Sequence, residues 1–103
     1  MNKEPLVSVI MNCYNGRKYL GEAIHSVYSQ IYKNWEIIFW DNASNDYSGH
    51  IAKSYDAKLK YFSSKQNTVL GVARILAVND ANGEYLTFLN CDDLWNREKF
   101  NDY

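Results

Sequence analysis

The residues with the clearest chemical potential are an amide, a thiol and two adjacent carboxylates in the segment Asn90-Cys91-Asp92-Asp93. They directly follow the apolar run Tyr85 to Leu89, which predicts a buried strand. Carboxylate and amide oxygens suit a hard divalent cation such as Mn²⁺ or Mg²⁺, whose coordination the phosphate oxygens of a ligand complete. The structural alternative is that Asp92 or Asp93 only caps a helix beginning at Leu94. Local sequence is compatible with both.

The rest of the chain alternates predicted strands and helices. Apolar runs predict strands over Leu6 to Met11, Trp35 to Trp40 and Leu59 to Phe62, the last near a sheet edge. Helical spacing of apolar residues predicts one helix from Leu20 to Ile31 and another over Leu70 to Ala81. Between them a short helix is predicted to end by Tyr55, with Ser44 or Asp46 as its N-terminal cap. Asn82-Gly83 then predicts a left-handed helix stop.

This alternation predicts an α/β fold of Rossmann type. Right-handed crossovers between closely spaced strands give a parallel sheet, and the simplest doubly wound order is 3-2-1-4 with helices on both faces. That order places the ends of the first and fourth strands side by side at the switch point. Tyr14, Asn15 and Asp41 should therefore lie at the same edge as Asn90 and Asp92.

A nucleoside diphosphate is the ligand that these residue types suit. The Tyr14 ring could stack on a base, and Asp41 could accept a hydrogen bond from a base or ribose. Neither GxGxxG nor GxxxxGK[ST] occurs, so the dinucleotide fingerprint and the P-loop are excluded. A metal ion, and Arg74, must then neutralise the diphosphate.

Composition, net charge and cysteine content limit the classes of protein to which the chain can belong. The 103 residues, 47% hydrophobic and 22% charged, fit one globular domain or part of one. The net charge of -1 gives no case for nucleic acid as partner. No stretch approaches about 20 apolar residues, so we expect no transmembrane segment and a cytoplasmic protein. Cys13 and Cys91 fit no metal pattern and are expected to be free thiols.

Five blocks in sequence resemble the N-terminal half of family-2 glycosyltransferases. They cover nearly the whole chain and are Pro5 to Asn15, Ser26 to Gln30, Glu36 to Asp46, Gly71 to Arg74 and Gly83 to Trp95. The resemblance implies a GT-A fold, a nucleoside-diphosphate sugar donor, often a UDP-sugar, and a divalent cation at a DxD motif. It also implies a bacterial enzyme of cell-surface polysaccharide biosynthesis, acting at the inner face of the membrane in the full-length protein.

Carried over by position, the resemblance assigns individual roles. Cys13, Tyr14 and Asn15 would lie at the nucleotide, Asp41 would bind the polar edge of the base, and Arg74 would approach the diphosphate. Asn90 and Asp92 take the acidic places of the DxD motif, with Asp92 and Asp93 as metal ligands. Asn90 stands where the family has its first Asp, and this neutral residue lowers the expected metal affinity.

The implied reaction is inverting transfer of the sugar to a hydroxyl of a glycan, lipid-linked or other acceptor. The general base is expected beyond Tyr103, because residues 1–103 match only the N-terminal nucleotide-sugar-binding part and the last predicted helix has no stop signal. We therefore expect the chain to be a truncated domain that binds donor but is inactive alone. The alternative is a non-catalytic nucleotide-binding module with a weakened metal site. A phospho-acceptor receiver domain is disfavoured, because no activating lysine follows a late strand.

Overall fold

The computed structural model describes residues 5–46, 48–64 and 77–89. Four strands and two helices are bounded within them: β1 (Val7–Cys13), α1 (Arg17–Tyr28), β2 (Trp35–Asp41), α2 (Ser48–Lys53), β3 (Leu59–Ser63) and β4 (Tyr85–Phe88). Residues 77–79 are also helical. β1 and β2 each extend further towards their carboxyl ends than the apolar runs predicted, so that Cys13 and Asp41 are the last residues of their strands.

The sheet is parallel, with the order β3-β2-β1-β4. The predicted order 3-2-1-4 is confirmed, and so is the placement of β3 at an edge. Val7 pairs with Trp35 and Cys13 with Asp41, so β1 and β2 begin and end together. Because all four strands run in the same direction, the loops that follow them leave from one edge of the sheet.

Helix α1 covers one face of the sheet with its apolar stripe. Leu20, Ala23, Ile24 and Val27 recur at helical spacing and have no exposed surface, and they belong to one core cluster with residues of β1 and β2. The prediction that Ile31 continues this stripe is wrong, since α1 ends at Tyr28 and Ile31 is 50% exposed.

The opposite face carries a second, smaller core. Ile10 of β1 and Ile38 of β2 are buried there together with Ala77, which lies in the helical residues 77–79. Val78 and Ala81 pack against the same cluster. Helical residues therefore cover both faces, as the doubly wound prediction required. The other predicted apolar positions of that helix lie outside the described residues.

Glu36 is a buried carboxylate at the amino-terminal end of the sheet. It is 5% exposed and receives hydrogen bonds from Ser8 Oγ at 2.6 Å, from the Asn82 backbone N–H at 2.7 Å and from Lys60 Nζ at 2.8 Å. Burial acts to raise the pKa of Glu36, but these donors outweigh it and hold that pKa below its usual value. Lys60 therefore forms an ion pair with Glu36.

The predicted left-handed stop at Asn82-Gly83 is wrong. Among the described residues a positive φ occurs only at Asn15 and Ala43. Gly83 is required for a different reason, which is close packing against β1. A Cβ at Gly83 would lie 2.6 Å from the Ser8 backbone nitrogen and 2.8 Å from the Leu6 carbonyl oxygen, closer than real Cβ atoms approach.

Strand β4 is less buried than its apolar sequence predicted. Tyr85, Leu86 and Phe88 are 44% to 51% exposed, and only Thr87 is buried within the strand. The physical reason is its position: in the described part of the chain β4 pairs with β1 alone and forms an edge of the sheet.

Within the described part of the chain, no helix has both the length and the apolarity that a membrane crossing requires.

Candidate functional site

The carboxyl edge of the sheet brings together the ends of β1, β2 and β3. Cys13 pairs with Asp41, and Asp41 pairs with Ser63. Backbone hydrogen bonds continue past the strands, because the Asn42 N–H donates to the Cys13 carbonyl at 2.8 Å and the Ser64 N–H donates to the Asp41 carbonyl at 3.0 Å. The loops that carry the predicted site residues are therefore fixed to one another.

Asp41 is the charged residue at the centre of this edge. It is 5% exposed. Its Oδ1 accepts a hydrogen bond from the Ser44 backbone N–H at 2.9 Å, and its Oδ2 accepts one from Tyr61 Oη at 2.6 Å. An ionised carboxylate only accepts hydrogen bonds and has about four acceptor positions. Two of those positions are filled, so the Asp41 side chain is held in place while acceptor capacity remains.

Tyr61 reaches Asp41 from the neighbouring strand β3. The Tyr61 ring stacks on the Phe39 ring with centroids 5.8 Å apart. Lys53 Nζ, from α2, lies 4.8 Å from the centroid of the Tyr61 ring. Burial and the hydrogen bond to Asp41 both raise the pKa of Tyr61. The phenol therefore remains protonated and continues to donate to Asp41.

Tyr14 and Asn15 form the loop between β1 and α1. The Tyr14 side chain is 52% exposed, as a ring available for stacking must be. Asn15 has φ 52°, in the left-handed region that asparagine tolerates better than most residues. Its backbone N–H donates to Ser44 Oγ at 2.9 Å, and its Oδ1 accepts from the Asn45 N–H at 2.8 Å. Asn15 thus joins the loop after β1 to the loop after β2.

The loop after β2 also starts helix α2. Asp46 Oδ1 accepts a hydrogen bond from the Ser48 backbone N–H at 2.9 Å, so of the two predicted caps Asp46 carries this role. The Ser44 hydroxyl is engaged by Asn15 instead. Ala43, between Asn42 and Ser44, has φ 60°, an unusual conformation for a residue with a Cβ. The sharp reversal places the Ser44 N–H on the Asp41 carboxylate.

The side chain of Cys13 is buried. It belongs to the core cluster beneath α1, and in the register it lies beside Asp41. Cys13 forms no disulfide, as predicted, while Cys91 lies outside the described residues. The position beside Asp41 is compatible with the predicted place of Cys13 near a base.

Four predicted site residues, Arg74, Asn90, Asp92 and Asp93, lie outside the described residues. The chain leading to three of them is described as far as Leu89, whose N–H donates to the Ile10 carbonyl at 3.1 Å. This bond keeps the chain beside β1 past the last residue of β4. Across residues 5–46, 48–64 and 77–89, no group of three acidic, histidine or cysteine side chains could hold a metal ion. The metal prediction therefore depends on Asp92 and Asp93.

Sequence reasoning missed Tyr61 and Gly49. Tyr61 was placed only as part of a short strand, and Gly49 only within a short helix. A signal was present, because strand alternation puts Tyr61 on the same face of the sheet as Asp41 once β3 is paired with β2. No local pattern, however, indicates that a glycine of α2 must leave room for the Tyr61 hydroxyl.

Together these residues present a half-exposed aromatic ring in the loop after β1 and a fixed, buried carboxylate at the end of the neighbouring strand β2. A planar heterocycle could stack on the Tyr14 ring and donate an N–H to Asp41. A group that offers only acceptors at that position would be repelled by the carboxylate. The arrangement therefore suits a base with an N–H on its pairing edge.

Comparison with known proteins connects this geometry to a family. The family model described as "Glycosyl transferase family 2" matches residues 8–102. A putative teichuronic acid biosynthesis glycosyltransferase, TuaG of Bacillus subtilis, is 38% identical over 101 residues, which are 95% of this chain and 40% of that protein. The putative glycosyltransferase EpsE of the same organism is 42% identical over 98 residues, covering 91% of this chain and 35% of that protein.

A solved structure extends the likeness to three dimensions. S. aureus TarS residues 1–349, in complex with UDP-GlcNAc, superposes with a TM-score of 0.88 and 32% identity. The match covers 93% of this chain and 29% of that one. The chain thus spans well under half the length of the relatives it matches, and the sheet is that of a GT-A glycosyltransferase.

Proposed function

Because the chain belongs to glycosyltransferase family 2, we propose that it forms the donor-binding portion of an enzyme that transfers a sugar from a UDP-sugar to an acceptor hydroxyl. The observation that carries the proposal is the buried Asp41 carboxylate, which Ser44 and Tyr61 fix at the edge of the sheet where the loop with the half-exposed Tyr14 ring begins. The complex of TarS with UDP-GlcNAc supports a uridine nucleotide as the donor.

Recognition of the base follows from hydrogen-bonding complementarity. Uracil presents N3–H as a donor on its pairing edge, which an acceptor-only carboxylate can receive. Cytosine presents an unprotonated N3 at the same place, so Asp41 would face it lone pair to lone pair. In the proposal the base stacks on Tyr14 and contacts Asn15 of the same loop and Cys13 at the end of β1. The predicted outcome is a preference for UDP over CDP.

Recognition of the diphosphate depends on residues beyond β4 and on Arg74. Asp92 and Asp93 would hold Mn²⁺ or Mg²⁺, for which their oxygen donors are suited, and Asn90 would bind a ribose hydroxyl. When bound, such a metal stabilises the charge that develops on the leaving nucleoside diphosphate. Arg74 would add a bidentate cation at the phosphates.

Transfer itself is proposed to invert the anomeric carbon. The acceptor hydroxyl attacks that carbon as the bond to the diphosphate breaks, and a general base removes the hydroxyl proton. In this proposal the general base and the acceptor-binding surface come from the part of the relatives that this chain does not span. The 103 residues would then bind donor without turning it over. The acceptor we propose is a growing cell-surface polysaccharide, in line with the name of the B. subtilis relative TuaG.

Calorimetric titration of the chain with UDP, GDP, CDP and ADP, each with and without Mn²⁺, tests the proposal. We expect UDP to bind most tightly and Mn²⁺ to strengthen its binding. Asp41→Asn should weaken UDP binding, because the amide has lost one acceptor oxygen. Asp56→Asn is the matched control, since Asp56 also accepts a tyrosine hydroxyl at 2.6 Å but lies before β3. Failure of all four nucleotides to bind with Mn²⁺ would overturn the proposal.

A second candidate is a nucleotide-binding module without transferase activity. The observation that favours it is Asn90, which removes one charge from the proposed metal site. Asn90→Asp separates the two. A large gain in Mn²⁺-dependent UDP binding would support a module with a weakened metal site. Little or no gain would show that Asn90 suffices and would support the transferase.

A further inference from the structure

We propose that Tyr61 is a positioning residue that sets the base selectivity of this site by fixing the Asp41 carboxylate through the Tyr61 hydroxyl. The inference rests on the proposed function and adds the determinant of selectivity to it. Tyr61 itself need not touch the nucleotide. Its effect passes through Asp41, whose Oδ2 accepts the hydroxyl at 2.6 Å.

The Tyr61 ring is held from several directions. It stacks on Phe39 of β2 at an interplanar angle of 15°, and Lys53 of α2 lies over it. Phe39 is itself fully buried in the core. A ring fixed in this way can deliver its hydroxyl to one place only, so the hydrogen bond determines where Oδ2 lies rather than following it.

Gly49 supplies the space that this contact needs. A Cβ at position 49 would lie 2.8 Å from Tyr61 Oη and 3.2 Å from Asp41 Oδ2. Gly49 has no positive φ, so its backbone does not demand glycine. Gly49 is the second residue of α2, and glycine is a poor helix former. The feature that requires glycine at this position is therefore the Tyr61–Asp41 contact.

The selectivity between uracil and cytosine depends on which acceptor positions of the Asp41 carboxylate remain available. The Ser44 N–H occupies Oδ1 and the Tyr61 hydroxyl occupies Oδ2, and together they hold the carboxylate in one rotamer. That carboxylate receives the N3–H of uracil and repels the N3 lone pair of cytosine. Without the Tyr61 hydroxyl, the carboxylate can rotate away from the repelled base, and the difference between the two bases shrinks.

Tyr61→Phe tests this directly, because it removes only the hydroxyl. Binding of UDP and CDP is measured by calorimetry in the presence of Mn²⁺. We expect UDP to bind about tenfold more weakly, a loss typical of one hydrogen bond to a charged group, and the ratio of CDP to UDP dissociation constants to fall. Tyr28→Phe is the control, since it removes a hydroxyl that also donates to a carboxylate at 2.6 Å, that of Asp56. Its base selectivity should match the wild type.

Gly49→Ala provides an independent route to the same contact. The added methyl group displaces the Tyr61 hydroxyl, so this variant should reproduce the loss of selectivity even if Tyr61→Phe does not fold. In the double variant the phenylalanine has no hydroxyl to displace, so the two effects should not add. Unchanged selectivity in Tyr61→Phe and Gly49→Ala, with UDP still bound by the wild type, would overturn this inference alone. A wild type that binds no nucleotide would overturn the proposed function with it.

Discussion

The backbone N–H of Asn15 donates to Ser44 Oγ at 2.9 Å, and this contact joins the loop after β1 to the loop after β2. Tyr14 lies in the first of these loops, and Asp41 is the last residue of β2, directly before the second. Tyr14 is proposed to bind the face of one base and Asp41 its pairing edge. The next residue, Asn45, returns a hydrogen bond from its N–H to Asn15 Oδ1 at 2.8 Å. The distance between ring and carboxylate is therefore set by loop contacts as well as by strand pairing.

Ser44→Ala should weaken UDP binding more than it lowers stability. The variant leaves the Asn15 N–H without its acceptor, although this N–H is near the surface and can bind water instead. We expect a loss of at most about 1 kcal/mol in the free energy of unfolding, and several-fold weaker UDP binding because the Tyr14 loop is less fixed. Chemical denaturation and calorimetry measure the two effects. Equal UDP affinity in the variant and the wild type would show that the hydrogen bond between the Asn15 N–H and Ser44 Oγ does not hold the site.

Replacing Asn15 by glycine and by alanine separates its two contributions. Both variants lose the hydrogen bond to the Asn45 N–H, but only alanine must hold a Cβ at φ 52°. We expect Asn15→Ala to be less stable than Asn15→Gly by about 1 kcal/mol, the usual cost of the left-handed conformation. Urea denaturation of both variants gives the difference directly. Alanine as stable as glycine would mean that the loop relaxes to another conformation.

The main features of the sheet were predictable because its apolar runs are short and separated by helical patterns. β1, β2 and β3 were placed to within two residues, and the simplest doubly wound order of right-handed crossovers proved to be the observed one. Tyr14 and Asp41 were predicted at one edge for the same reason. β1 and β2 have the same length and begin together, so their last residues, Cys13 and Asp41, are paired.

What sequence could not supply were contacts that depend on the stagger between strands and on close packing. Tyr61 meets Asp41 only because β3 pairs with β2 so that Asp41 lies opposite Ser63, two residues further on. Glu36 lies in an apolar run, and its burial depends on donors from Ser8, Lys60 and Asn82, which are distant in sequence. The exposure of β4 follows from its edge position, which apolar composition does not encode.

Glu36→Gln should make the protein less stable at neutral pH and its stability less sensitive to acid. The pKa of Glu36 is lowered below its usual value of 4.5 in the folded state. Its ionised form therefore contributes stability that is fully present above the unfolded pKa and is lost as pH falls through the lower, folded pKa. We expect a loss of about 2 kcal/mol at pH 7, since the glutamine amide cannot accept all three donors.

Denaturation of wild type and Glu36→Gln across pH 2 to 7 measures this effect, with the two curves converging at the acid end. Glu22, an exposed carboxylate on α1, provides the control variant Glu22→Gln. A constant difference between wild type and Glu36→Gln over this range would contradict a role for the ionised carboxylate.

Gly83→Ala should destabilise the fold strongly, whereas Gly21→Ala should stabilise it slightly. A Cβ at Gly83 meets the backbone of Ser8 and Leu6 at 2.6 and 2.8 Å, and backbone atoms of a central strand cannot yield easily. The turn before β4 would also lose the hydrogen bond from the Gly83 N–H to Ser8 Oγ, which measures 2.8 Å. We expect a loss of about 2 to 3 kcal/mol in the free energy of unfolding, typical of overpacking in a close-packed region.

Gly21 is the matched control because a Cβ added there, in α1, has nothing within 4 Å. Alanine is the better helix former, so Gly21→Ala should gain about 0.5 to 1 kcal/mol. Thermal and urea unfolding compare the two variants under the same conditions. Since β4 leads directly to Asn90 and Asp92, Gly83→Ala should also weaken the Mn²⁺ dependence of UDP binding at temperatures where the variant is still folded. A Gly83→Ala protein of wild-type stability would mean that the turn before β4 can move away from β1 without cost.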